Sequence, residues 1–164
     1  MGKEESNMRS LTVVILFAAA CDVGSAPDGA NSNTAFVDDN TPTLSGGSFG
    51  PLGTYTDIGG EAFMARGPGG TTLYIAVSGL MPDMSYMAHL HVASCANNGG
   101  GHYKIDPSIT SAVEANELWL HGQSTPVGTM FVSQDYTHVT RSDAKSIVVH
   151  DHANGAKMAC ADLE

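Results

Sequence analysis

The sequence predicts an all-β fold, a sandwich or a barrel. Three observations carry that prediction. Nineteen of 164 residues are glycine and only 7% are aromatic, a composition suited to short strands joined by tight turns. Several short segments alternate apolar and polar residues between Gly- and Pro-rich punctuation. Between those turn signals, no run of about ten or more residues repeats with helical period.

In chain order, residues 1–20 read as an export signal. Arg9 precedes the apolar run 11–20 (LTVVILFAAA), which is too short to span a bilayer and fits the apolar core of a signal peptide. The acidic pair Glu4–Glu5 is unusual there, and translation from Met8 would remove it. Small residues followed by Cys21 resemble a bacterial lipobox, in which the cysteine is lipidated; an ordinary cleaved signal with an incidental cysteine is the alternative. Residues 21–50 are rich in Gly, Ser, Asn, Asp, Thr and Pro, too polar to offset the entropy of ordering, and are expected to form a flexible tether. The domain is expected to occupy residues 51–164.

Within it, residues 61–66 (EAFMAR) alternate weakly and 67–70 (GPGG) form a turn. Residues 71–78 (TTLYIAVS) alternate and are β-branched, so they predict a strand. Residues 79–83 (GLMPD) turn into 86–95 (YMAHLHVASC), and 97–101 (NNGGG) form a loop. Residues 117–121 and 128–132 are short strand candidates, 146–150 (SIVVH) form a strand, and 158–163 (MACADL) form the last one.

Charge limits the partners. Lys and Arg total 7 against 17 Asp and Glu, giving a net charge of -10. Nucleic acid and anionic membrane both reward basic surfaces, so neither is an expected partner except through a lipid anchor.

The chemistry lies in the histidines. On a strand, period 2 puts His89 and His91 on one face and Leu90 on the other. His102 follows three glycines on a loop able to bring an imidazole toward them. His150 ends an apolar strand in which Ile147 and Val149 face one side, Val148 and His150 the other. Three or four neutral imidazoles suit copper or zinc, and the affinity order favours copper. Trp119 is expected to pack in the core or at its rim, and His121, His138 and His152 to lie outside the ligand set.

Taken together, TTLYIAVSGLMPDMSYMAHLHVASC, GGHYKIDP and SIVVHDHANGAKMAC resemble the copper/zinc superoxide dismutase family. The similarity covers about residues 56–163 and keeps the order of the motifs. It implies a Greek-key β-sandwich, His89, His91, His102 and His150 as copper ligands, and a disulfide between Cys95 and Cys160. It also sets Lys157 where the family has an arginine beside the metal, keeping the charge without the guanidinium fork.

The departures point to the copper-only branch. Residues 103–118 contain no histidine, so the zinc ligands are missing and zinc is not expected. The loop from His150 to Lys157 is short, where two-metal members have a long electrostatic loop. In the copper-only branch a carboxylate takes over zinc's role of orienting the third histidine; Glu114 or Glu117 would do so here. The function expected is dismutation of superoxide to oxygen and hydrogen peroxide in the periplasm or at the cell surface, with His102 and Lys157 as catalytic residues. A non-catalytic copper-binding or copper-storage protein on the same fold is the alternative, and a metal-free interaction module a third; a homodimer is left open.

Overall fold

The computed structural model describes residues 41–164, and the expected signal peptide and Cys21 lie outside them. Among the described residues the chain is an all-β sandwich of two antiparallel sheets. The first sheet has β1 (Thr43–Ser48), β3 (Gly59–Gly67), β4 (Gly70–Ser78) and β7 (Met130–Tyr136), in that order. The second has β2 (Gly50–Pro51), β9 (Lys157–Asp162), β8 (Ser146–Asp151), β5 (Ser85–His91) and β6 (Trp119–Gln123). Two single-turn 3-10 helices, Cys95–Asn97 and Glu114–Asn116, lie in the connection from β5 to β6.

The inner faces follow from alternation. Along β4, Thr71, Leu73, Ile75 and Val77 are buried, with more exposed residues between them. Leu73, Ile75 and Val77 meet Ala88 and Leu90 of β5, Leu120 of β6, Ile147 and Val149 of β8 and Ala159 of β9 in one hydrophobic core. Strand β8 is buried on both faces. Ile147 and Val149 point into the core, while Val148 and His150 face outward beneath the loop that follows β5.

Two expected boundaries change. Residues 43–50 fall within the expected tether, yet β1 pairs with β3 from Thr43↔Arg66 to Ser48↔Glu61, and Gly50 pairs with Cys160. The reason is close approach: a Cβ on Gly46 would lie 2.6 Å from the Ala62 carbonyl, and one on Gly47 would collide with the Asp162 carbonyl. The glycines that read as a linker are what lets an edge strand lie this near its neighbours. Phe49, buried where the chain passes from one sheet to the other, is the apolar anchor of this segment. Strand β7 also runs on to Tyr136 through the polar residues 133–135, which an edge strand exposes without penalty.

Candidate metal centre

The four imidazoles are placed by β5, β8 and the connection from β5 to β6. His89 and His91 are neighbours on the outer face of β5; His89 pairs with Val148 and His91 with Ser146 of β8, and the pairing of Met87 with His150 brings that ring alongside. His102 comes from the β5–β6 connection. That loop is drawn back to the strand by Val92 N–H donating to the Gly101 carbonyl (3.0 Å) and Tyr103 N–H to the Leu90 carbonyl (2.8 Å). One ring nitrogen from each of the four histidines lies within 4.8 Å of the others. Among the described residues this is the one group of three or more potential ligands.

The hydrogen bonds fix which nitrogens face inward. Nδ1 of His91 donates to the Gly100 carbonyl at 3.2 Å, and Nδ1 of His150 to the Gly155 carbonyl at 3.0 Å. Carbonyls only accept, so both Nδ1 atoms carry the proton and each neutral ring keeps its lone pair on Nε2. Those Nε2 atoms face each other at 3.3 Å. Nδ1 of His89 is buried with no hydrogen-bond partner. Burial lowers His89, His91 and His150 from the ordinary histidine value, His91 to about 3, with neighbouring imidazoles and Lys157 adding to the effect. Neutral rings with converging, unpaired nitrogens are the state a metal ion needs. The donor set therefore fits a first-row transition metal.

His102 differs from the other three. Its Nδ1 donates not to a backbone carbonyl but to Glu117 Oε2 at 2.8 Å. The His102 side chain is 26% exposed, that of Glu117 only 1%. Of the two glutamates singled out in the sequence, it is Glu117 that reaches His102; Glu114 sits on the surface with its carboxylate on His121 Nε2, 3.1 Å away. Lys157 begins β9 beside the cluster, where its ammonium donates to the Asn98 (2.8 Å) and Gly100 (2.7 Å) carbonyls. The Gly100 oxygen thus serves both Lys157 and His91. Partial burial lowers the Lys157 pKa.

The turn that carries those carbonyls is fastened by the disulfide from Cys95 to Cys160, with Cα atoms 5.6 Å apart. Gly99 within it lies under the site; a Cβ there would come 2.6 Å from Val148 and 3.2 Å from the His91 ring.

Two residues near the site carry more than composition suggested. Trp119, expected to be packing, donates its indole N–H to Glu117 Oε2 at 2.7 Å, and its ring centroid is 5.0 Å from that of His89. The signal was present in Glu117-x-Trp119, since period 2 puts both side chains on one face. Arg141, far away in sequence, clamps the His102 loop by donating to the Lys104 and Ile105 carbonyls while its guanidinium covers the Tyr103 ring at 4.5 Å. The buried Tyr103 hydroxyl is paired with His138 Nε2 at 2.9 Å. No local pattern marks Arg141, because its contacts join segments more than 30 residues apart.

No family model matches this chain, and neither does any curated protein.

Proposed function

We propose that the chain is a copper-dependent superoxide dismutase, similar to the copper-only branch of the copper/zinc superoxide dismutase family, with the sandwich wound as that family's Greek key. The observation that carries the reading is the pairing of His102 with Glu117. In a two-metal site the second nitrogen of this histidine would serve zinc; here it is taken by a buried carboxylate. The remaining histidines of the described residues are engaged or exposed elsewhere, His121 with Glu114 and His138 with Tyr103, while His152 is exposed.

His89, His91, His102 and His150 would hold the copper. When bound, copper supplies one-electron redox, by which two superoxide anions and two protons become oxygen and hydrogen peroxide. The protein's contribution is derived from its own groups. His91 and His150 are oriented through Nδ1 by backbone carbonyls, which leaves little freedom for those rings. His102 is on a loop and is the most exposed of the four; in this reading its Nε2 would pass a proton only when it is not holding the metal, while Nδ1 stays on Glu117. Lys157 is the local positive charge that attracts the anion to an otherwise acidic molecule.

One observation favours the second reading, a copper-binding or storage protein without dismutase activity: the Lys157 ammonium is engaged by two carbonyls, which competes with docking an anion. Copper titration of the full chain alongside a dismutation assay separates the two. Stoichiometric binding with rapid dismutation, abolished in His150→Ala, supports the enzyme. Binding without dismutation supports the carrier, and absence of binding rejects both. Export, with a lipid anchor at Cys21, belongs to the same proposal. Its support is the Cys95–Cys160 disulfide, of a kind that persists in oxidising compartments.

A further inference from the structure

We propose that Trp119 is a positioning residue for the metal centre: its indole N–H fixes the Glu117 carboxylate against His102 while its ring supports His89, so one side chain sets two of the four imidazoles. The inference rests on the reading of these four histidines as a copper site.

His91 and His150 each donate from Nδ1 to a backbone carbonyl, so their orientation is built into the main chain. His102 is on a loop, and its Nδ1 depends on a side chain, Glu117. A carboxylate can turn about its terminal torsion, which is broad and soft. Glu117 Oε2 accepts two bonds, from His102 at 2.8 Å and from Trp119 at 2.7 Å, whereas Oε1 is buried with no partner at all. The indole N–H is therefore the second donor that defines which way the carboxylate faces. Without it, the His102 bond alone would have to hold both groups, each of which can rotate.

Trp119 is itself rigidly placed. It opens β6, is paired with His89 across the strands, and its carbonyl accepts a bond from the Tyr136 hydroxyl. The indole is thus a platform fixed to β5 and β6, with its ring against His89 and its N–H on the partner of His102. Packing alone would need only the ring. The N–H is the part that acts on His102, and Trp119→Phe removes it while keeping most of the ring.

The test uses the full chain and reads histidine side-chain resonances by nitrogen–proton NMR in the metal-free protein. In Trp119→Phe, solvent exchange of the His102 Nδ1 proton should quicken by about tenfold or more, the order expected for losing one charge-assisted bond in the network. The Nδ1 protons of His91 and His150 should not change. Copper affinity in a chelator competition should fall by roughly tenfold or more, as when other groups that orient a metal ligand are removed. Unchanged His102 exchange in a folded Trp119→Phe protein overturns the proposal, as does an equal disturbance of all three rings. If that variant does not fold, Glu117→Leu removes the acceptor from the other end: exchange of the single indole N–H should quicken severalfold, and an unchanged rate overturns the proposal. A wild-type chain that takes up no copper would refute the copper site, yet the metal-free spectra would still decide whether Trp119 orients His102.

Discussion

The two Nε2 atoms of His91 and His150 face each other at 3.3 Å with both Nδ1 protons committed to carbonyls. Two lone pairs that close are unfavourable unless a cation comes between them, and this is why the residue scale points to a metal before any resemblance is considered. The same crowding makes Gly99 sensitive. Its φ is +70°, in the left-handed region, and a Cβ would meet Val148 at 2.6 Å and the His91 ring at 3.2 Å. Gly99→Ala should cost about 1–3 kcal/mol by overpacking and weaken copper binding as His91 is displaced; denaturant unfolding and a chelator competition measure the two effects. Much of this site was legible in the sequence: His89-x-His91 names a strand face, and His150 ends an apolar run. What was not legible is which glutamate meets His102. Glu114 and Glu117 are three residues apart on an irregular segment, and only the 3-10 turn between them turns one to solvent and the other inward.

At the scale of elements, the site is a strand pair, β5 and β8, plus a loop held down at several points. Period 2 predicted the strands because their inner faces are apolar and their outer faces carry the histidines. It failed for β1, where glycines permit close approach instead of supplying side chains, so no alternation remains to be read. The loop depends on contacts distant in sequence. The disulfide joins the turn that carries Asn98 and Gly100 to β9, which carries Lys157, over a separation of 65 residues. On the chain-entropy account a loop of that length is worth about 4 kcal/mol, so Cys95→Ser with Cys160→Ser should lose a stability of that order. It should also weaken copper binding, since His91 Nδ1 depends on the Gly100 carbonyl. Thermal unfolding and copper competition on the double variant check both; unchanged metal affinity would show that the turn holds its shape without the bond.

For the whole molecule, the buried histidines make stability depend on pH in a definite direction. Unfolded, a histidine titrates near 6.5; folded and metal-free, His91 falls to about 3, and His89 and His150 are also lowered. Between those values the unfolded chain binds protons that the folded chain does not, so this contribution is complete above about pH 6.5 and is lost as the pH falls toward 3. In that window His91 should contribute a slope of about 1.4 kcal/mol per pH unit, with His89 and His150 adding in the same direction, seen as a falling unfolding temperature of the metal-free chain. On the proposed reading, copper that favours the folded state should raise that temperature, with a stabilisation of up to about 4 kcal/mol at a thousandfold excess over its dissociation constant. The central claim is that this sandwich holds one redox-active copper and no zinc, with Glu117 in zinc's place at His102. It is tested most directly by metal analysis of the full chain after exposure to both ions, paired with its dismutation rate. One copper per chain, no zinc beyond background and rapid dismutation are expected. A stoichiometric zinc, or a copper-loaded chain that leaves superoxide untouched, would contradict it.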